Sequence, residues 1–264
     1  MNIYIINLAK DSTRREFQKQ QMERLQLHYE IVNATTIDDI SKIYNDFKDH
    51  WQRPMREVEV ACYFSHQKLW QRVLKEQKPA LILEDDALLG SELPKLLEIF
   101  NELQEIDHIS LESVGRKKLL GKRAIPLALK PFQLSPLIID RFGACAYILY
   151  PSGAKKLLEH EKQYGIALAD AQITSCFMLR SYQLEPACAI QMDRCSQYNL
   201  KAPLELHSNI STIQKCAIPQ GKYLSFKRKR IAHQLKLALR SIEFLFRTKR
   251  RKIEICDSLK ALYG

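Results

Sequence analysis

Glycine is scarce, with eight in 264 residues, and none stands in a Gly-x-Gly-x-x-Gly run or a Walker-type Gly-x-x-x-x-Gly-Lys-Ser/Thr run. Those glycines let backbone approach a pyrophosphate closely, so a dinucleotide fingerprint and a P-loop kinase are both excluded. Seven cysteines (62, 145, 176, 188, 195, 216 and 256) include no Cys-x-x-Cys pair. That usage points to reduced, structural thiols in a reducing compartment, and it speaks against a zinc site. No apolar run approaches the roughly 20 residues that span a bilayer. The opening Met1-Asn2-Ile3-Tyr4-Ile5-Ile6-Asn7-Leu8 has neither the basic start nor the long apolar centre of a signal peptide, and a cytoplasmic protein is expected. Internal repeats and low-complexity tracts are also lacking.

The composition is that of a globular chain able to bury a full core, at 46% hydrophobic and 27% charged. A net charge of +11 looks like a nucleic-acid signal until it is located. Residues 222–252 hold twelve Lys/Arg against Glu243 alone, which accounts for the whole excess and leaves the rest neutral. One local polyanionic partner fits that asymmetry better than a basic cleft. The chain therefore divides into a main body, residues 1–221, and a basic tail, residues 222–264.

Apolar runs and helical periodicities alternate along the first 112 residues. Strands are predicted at Asn2–Leu8, Tyr29–Ala34, Ala80–Leu83 and His108–Leu111. Helices are predicted from Asp11 or Ser12 to about Leu25, to about Lys48, over Glu57–Glu76 and over Pro94–Gln104. This alternation implies an α/β fold with a largely parallel, doubly wound sheet. Gly115 to Asp140 breaks the pattern with basic residues (Arg116, Lys117, Lys118 and Lys122 among them), two glycines and three prolines. It reads as a long connection that can hold a hairpin, of the kind that is usually a lid or a mobile segment. A strand over Gly143–Tyr150, helices from Pro151 and over Ala169–Arg180, and an extended Gln183–Gln191 follow.

Leu81-Ile82-Leu83-Glu84-Asp85-Asp86-Ala87 is the most informative segment. A buried strand that ends in three adjacent carboxylates carries a repulsion that calls for a cation, and a divalent metal holding a phosphate suits hard oxygen ligands. A solvated turn is the plainer alternative, but apolar residues resume at once. Strand ends also deliver Asn7 and Ala34-Thr35-Thr36, polar groups where open α/β sheets bind ligands. Arg14 and Arg15 lie in the first turn after the first strand, where a guanidinium either meets a ligand or lies on the surface. Ser65-His66 interrupts a helix otherwise suited to burial. Asp170 opens a helix and serves either as a cap or as a general base. His207 is a late candidate for metal ligation.

Taken in order, these pieces resemble glycosyltransferase family 25. They are Tyr4-Ile5-Ile6-Asn7-Leu8 with Arg14-Arg15, Ala34, Glu59-Val60-Ala61-Cys62-Tyr63-Phe64-Ser65-His66 with Leu69-Trp70, and Leu81 to Ala87. Gly143-Ala144-Cys145-Ala146-Tyr147-Ile148-Leu149, Gly153-Ala154-Lys155-Lys156-Leu157-Leu158 and Asp170 complete the set, which covers roughly residues 1–210. The resemblance implies a GT-A-like, Rossmann-type nucleotide-diphospho-sugar transferase domain over residues 1–221, a divalent cation of the Mn²⁺ type, and inverting transfer of galactose from UDP-galactose, with UDP-glucose as the alternative donor. It makes Asp86 the main metal ligand, with Glu84 contacting metal or ribose. Asn7, Arg14, Ser65, His66, Glu84 and Asp85 would line the donor pocket, and Asp170 would be the base. Where the family often has an acid before the Ser aligned with Ser208, this chain has His207.

In the tail, apolar residues at 231, 235, 238, 239, 242, 245 and 246 form a helical stripe beside basic positions. A basic amphipathic helix of this kind reads as a membrane-surface element, peripheral at an inner membrane that carries a lipid-linked oligosaccharide acceptor. Packing on the main body or in a homodimer is the alternative. Nucleic acid is disfavoured because aromatic residues are sparse in the basic segment. The competing view of the whole chain is a non-catalytic membrane- or polyanion-binding protein.

Overall fold

The computed structural model of the chain describes residues 1–140, 143–204 and 216–264. The first half alternates as expected. Strand β1 (Asn2–Asn7) leads to helix α1 (Ser12–Leu25), β2 (Glu30–Asn33), two short helical turns α2 (Ile37–Ile40) and α3 (Tyr44–Phe47), the long α4 (Glu57–Glu76) and β3 (Ala80–Glu84). The Asp11 carboxylate accepts from the Arg14 backbone N–H at 3.2 Å and starts α1. Left-handed Gln26 and Gln77 end α1 and α4. The single polar helix expected before Lys48 is two separate turns, the first closed by a capping box between Thr36 and Asp39.

β4 (Ala87–Leu89), α5 (Leu93–Glu102), β5 (His108–Ser110), β6 (Lys118–Gly121), β7 (Ile125–Pro126), β8 (Gln133–Ile139) and β9 (Ala146–Leu149) follow. Then come α6 (Pro151–Tyr164), α7 (Ala169–Ser175), β10 (Ser181–Glu185), β11 (Ala189–Gln191), α8 (Tyr223–Glu243), β12 (Thr248–Arg251) and α9 (Asp257–Tyr263). Among the described residues the main sheet runs β12-β6-β8-β10-β5-β9-β3-β1-β2, and β4 pairs with β11 in a small second sheet. The α/β class holds, but the sheet is mixed rather than largely parallel. β1 is parallel to β2 and β3, and β10 to β5, whereas β9 and everything beyond β10 are antiparallel.

Helices cover both faces. On one face, Met22 and Leu25 of α1, Leu96 and Phe100 of α5, and Leu259 and Tyr263 of α9 share one apolar cluster. On the other, Val60, Tyr63 and Trp70 of α4, Ala154 and Leu157 of α6, and Ala169 and Ile173 of α7 share a second. Between these layers β3 is wholly buried from Ala80 to Leu83, which is why its sequence is aliphatic on both faces.

The hairpin expected within 115–140 is β7 with β8, and β6 joins them in the sheet, so the stretch is sheet rather than an open connection. Lys118 is buried with its Nζ 2.6 Å from Asp140 Oδ2 and 2.7 Å from Gln183 Oε1. Asp140 ends the described part of this stretch.

The tail has two parts. α8 lies on the body through buried Phe226 and Leu237, with Arg240 Nε donating to the Ile138 carbonyl at 2.8 Å. Beyond it the chain enters the body: β12 pairs with β6, Ala187 and residues 254–256 exchange backbone hydrogen bonds of 2.8 Å, and α9 completes the core under α1. Deleting buried methylenes typically costs 2–5 kcal/mol. Leu259→Ala should therefore destabilise the whole fold by about 2–5 kcal/mol in urea unfolding; an unchanged midpoint would detach α9 from the core.

Candidate active site

The register Ile5↔Leu83 and Ile6↔Glu84 sets the carboxyl ends of β1 and β3 side by side, so Asn7 lies next to the acidic triplet. Antiparallel β9 approaches from the other side, where the Glu84 backbone N–H donates to the Cys145 carbonyl at 2.8 Å. α4 crosses one face of the sheet, and α7 begins nearby. The sequence order Glu84-Asp85-Asp86 thus becomes three carboxylates with different surroundings.

Asp85 is an anchor. Its Oδ1 accepts from Arg14 Nη1 at 2.9 Å and its Oδ2 from Asn7 Nδ2 at 2.9 Å. Asn7 is held in turn by Arg15, whose Nε donates to Asn7 Oδ1 at 3.0 Å. Burial still pushes the Asp85 carboxyl upward, opposed by Arg14 and Asn7. Gln18 Nε2 donates to the Asp85 and Ala87 carbonyls at 3.0 and 2.8 Å, pinning the turn to α1. Asn7 and Arg14, expected to touch a donor, thus direct their polar groups at Asp85.

Glu84 faces a cleft. Burial raises its carboxyl to about 7, with Asp85 and Asp170 adding to the effect. A chain of hydrogen bonds meets it from behind. Trp70 Nε1–H donates to the Tyr147 hydroxyl at 2.8 Å, the Tyr147 O–H lies 3.0 Å from His66 Nδ1, and His66 Nε2 lies 3.2 Å from Glu84 Oε1. Because Trp70 only donates, the consistent arrangement has Tyr147 donating to Nδ1 and His66 Nε2–H donating to Glu84. Burial lowers the imidazole to about 4, so the ring is neutral.

Asp86 has Oδ1 3.6 Å from Cys145 Sγ, and burial together with Glu84 and Asp85 raises its carboxyl to about 7. Ligand atoms of Glu84, Asp86 and Cys145 all lie within 4.8 Å of one another, and so do those of Cys62, His66 and Glu84. Among the described residues no Lys or Arg pairs with Glu84 or Asp86, since Arg14 is taken by Asp85. Two converging carboxylates with raised proton affinity and no cation from the described residues fit a divalent metal.

The cleft encloses about 230 Å³ and is lined by Glu59, Cys62, Glu84, Cys145, Asp170, Gln191 and Arg194 among others. Asp170 lies in the first turn of α7, where its Oδ1 accepts from the Ala171 N–H at 2.7 Å. Burial raises its carboxyl to about 6 against that hydrogen bond. Glu59 differs: burial would raise it, but Arg53 and Arg56, at 2.8 and 2.6 Å, pull it down to about 2. Ser65 is a brace, its Oγ accepting from the Thr35 N–H at 2.8 Å and donating to the Ala61 carbonyl at 3.0 Å. His207 lies outside the described residues.

Of the expected residues, Glu84 and Asp170 line the cleft and Asp86 adjoins Glu84. His66 reaches Glu84 from beneath, and Asn7, Arg14 and Ser65 act through backbone or Asp85. The sequence reading missed Cys62, Cys145, Glu59, Tyr147, Gln191 and Arg194. It also missed Glu112, whose Oε1 accepts from the Cys145 N–H at 2.8 Å and holds the strand that flanks the site. The Cys62-x-x-x-His66 spacing on α4 was a readable signal for one of them.

An interior strand of an α/β sheet thus ends in a carboxylate pair, one member of which, Glu84, shares a cleft with a third carboxylate, Asp170. Residues 1–173 match the family model described as Glycosyltransferase family 25 (LPS biosynthesis protein), and the chain belongs to that family. It is 25% identical to the lipooligosaccharide biosynthesis protein lic2B of Haemophilus influenzae over 89% of each chain. To a putative glycosyltransferase of the same species it is 26% identical over 71% of this chain and 69% of that one. It is 25% identical to procollagen galactosyltransferase 1-A of Xenopus laevis over 60% of this chain, but 28% of that protein. Among solved structures, a Drosophila β-1,4-galactosyltransferase 7 variant in complex with manganese, UDP-Gal and xylobiose aligns over 83% of this chain and 81% of that one at 9% identity and a TM-score of 0.34, too distant to carry an argument.

A carboxylate whose folded-state pKa is raised favours folding while it is protonated, and that contribution is lost as pH rises through the folded value. The metal-free protein should therefore lose stability between about pH 4.5 and the values near 7 of Glu84 and Asp86. Glu84→Gln and Asp86→Asn should each raise the metal-free melting temperature at pH 8 by several degrees. A lowered melting temperature in both would mean that these charges are already compensated.

Proposed function

We propose that the chain transfers a hexose, galactose from UDP-galactose, onto a lipooligosaccharide acceptor sugar, with inversion at the anomeric carbon and with a Mn²⁺-type cation bound. The observation that carries this reading is the Glu84–Asp86 pair, which no Lys or Arg among the described residues neutralises, with Glu84 sharing one cleft with Asp170. Family membership supports the transfer chemistry. The galactosyltransferases among the relatives support the donor sugar, and the lipooligosaccharide protein supports the acceptor.

Glu84 and Asp86 would hold the cation, which when bound neutralises the charge that develops on a departing diphosphate. Arg194, on the cleft wall, offers a guanidinium to the same phosphates. Asp85, locked to Arg14 and Asn7, keeps the turn rigid so that its two neighbours point the same way. Asp170 accepts the proton of the acceptor hydroxyl as its oxygen attacks, and attack from the side opposite the leaving group gives inversion. His66, kept neutral by burial and held in place by Tyr147, fixes the Glu84 carboxylate.

A screen of UDP-galactose against UDP-glucose, read as UDP release with and without Mn²⁺, tests the reading. Turnover of neither donor would sink it. Asp170→Asn should cut kcat by roughly 10²–10⁴, the usual worth of a positioned base, while leaving UDP binding intact. A base must be deprotonated, so kcat/KM should fall about tenfold per pH unit below Asp170's value of about 6. A profile flat through pH 5 would remove Asp170 from that role.

The reading extends to an anionic membrane surface, with the protein peripheral at its cytoplasmic face. Among the described residues no helix is long and apolar enough to cross a bilayer. The apolar stripe of α8 does not pack on the body: Leu224, Ile231, Leu235, Leu239 and Ile242 are exposed, as is Phe246 just beyond, at 87%. Lys227, Arg228 and Arg230 flank it, a pairing of aliphatic and basic groups that suits acidic headgroups. Because β12 and α9 belong to the core, the test is substitution rather than truncation. Leu239→Glu with Ile242→Glu should weaken cosedimentation with phosphatidylglycerol vesicles roughly tenfold or more, since burying each aliphatic is worth about 1.5–3 kcal/mol. Unchanged binding with unchanged melting would refute the docking.

A further inference from the structure

Cys62 and His66 stand four residues apart on α4 and therefore share one face of the helix. Both direct a ligand atom at Glu84: Cys62 Sγ, His66 nitrogen and a Glu84 oxygen all lie within 4.8 Å of one another, with His66 Nε2 3.2 Å from Glu84 Oε1. Tetrahedral coordination with bonds of roughly 2.0–2.3 Å places ligand atoms about 3.3–3.8 Å apart, so rotamer-scale movement closes the set. Cys62 and Glu84 line the 230 Å³ cleft, which gives a cation an entry path and leaves a fourth position for water. Tyr147 lies 3.0 Å from His66 Nδ1 and receives Trp70 Nε1–H at 2.8 Å, a buried outer shell of the kind that orients a metal-binding imidazole.

We propose that Cys62, His66 and Glu84 form a soft-metal site for Zn²⁺, distinct from the hard-cation position at Glu84 and Asp86 and sharing only Glu84 with it. Thiolate and imidazole select zinc over manganese. On binding, the Cys62 thiol releases its proton to solvent. The imidazole proton moves from Nε2 to Nδ1, where it hydrogen-bonds to the Tyr147 oxygen as that hydroxyl turns its own proton away from the ring, so His66 remains neutral and Nε2 is free to ligate. Because one carboxylate serves both positions, zinc draws Glu84 away from Asp86 and opposes occupation of the hard site. That last consequence rests on the transferase reading; zinc binding itself does not.

The test uses the full chain, stripped of metal, with Co²⁺ as spectroscopic probe and Zn²⁺ as competitor, in the absence of any nucleotide. Co²⁺ should give a thiolate charge-transfer band in the near ultraviolet and tetrahedral bands in the visible, both abolished by stoichiometric Zn²⁺. Cys62→Ser, which changes one atom and should fold, is expected to lose the charge-transfer band and weaken Zn²⁺ at least tenfold. Cys145→Ser, altering the thiol beside Asp86, should keep both. An octahedral spectrum without a thiolate band would overturn the proposal, as would a Cys62→Ser variant that binds Zn²⁺ like the parent or loss of the band in Cys145→Ser instead. Stabilisation by UDP with Mn²⁺, followed as a thermal shift, reports the transferase reading separately: its failure leaves the zinc site standing, and the reverse holds as well.

Discussion

The pair between Asp85 and Arg14 is the interaction on which the rest of the site depends. A strand buried on both faces delivers three carboxylates in succession, and unshielded like charges at that spacing in a poorly solvated place would repel strongly. Arg14 and Asn7 satisfy both oxygens of the middle one. With Asp85 tied to α1 and β1, the turn is braced, and Glu84 and Asp86 are left converging. One compensated charge thus holds two uncompensated ones in place. Removing a partner of a buried ion pair strands a charge and typically costs 3–5 kcal/mol, so the arrangement tolerates little change at position 14.

The surroundings of the two free carboxylates show that the fold spends stability on them. Hydrophobic burial of β3 and the helices on either face supplies the rigidity. Against it, Glu84 and Asp86 sit where burial raises both to about 7. Glu59 is the useful contrast. It lines the same cleft, yet two arginines bring it down to about 2. The chain therefore has the means to neutralise a carboxylate in this cleft, and at Glu84 and Asp86 supplies none among the described residues.

Much of this was legible in the sequence. An aliphatic run that meets Glu84-Asp85-Asp86 identifies a buried strand and a cation-demanding end without any coordinates, and helix α4 follows from its periodicity. Which carboxylate does what was not legible. That Arg14 and Asn7 would serve Asp85 depends on the β1–β3 register and on the angle at which α1 leaves β1, and neither is written locally. Cys62 and His66 were hidden differently, because a search for paired cysteines passes over a Cys/His pair one helical turn apart whose third partner comes from another strand. The end of the tail misled for a physical reason. Lys249-Arg250-Arg251 belongs to the basic tail that reads as a membrane-surface element, and among the described residues it is an edge strand, where charged residues keep the sheet from pairing further.

The same geometry links the two sides of the cleft. The Glu84 carboxyl is raised in part by the charge on Asp170, and electrostatic influence of this kind is mutual: whatever removes negative charge from the Glu84–Asp86 side makes ionisation of Asp170 easier. With the acidic pair uncompensated, burial and mutual repulsion hold all three carboxyls above their ordinary range, at about 6 to 7. With the pair compensated, a proton has less reason to stay on Asp170. A site built this way is least able to accept a proton from a bound hydroxyl when the opposite wall is uncompensated, and most able when that wall is neutralised. Under the transferase reading Asp170 is then most fully ionised, and so most available to take a proton, when the donor's cation is in place, a coupling that arises from burial and charge alone and needs no moving part.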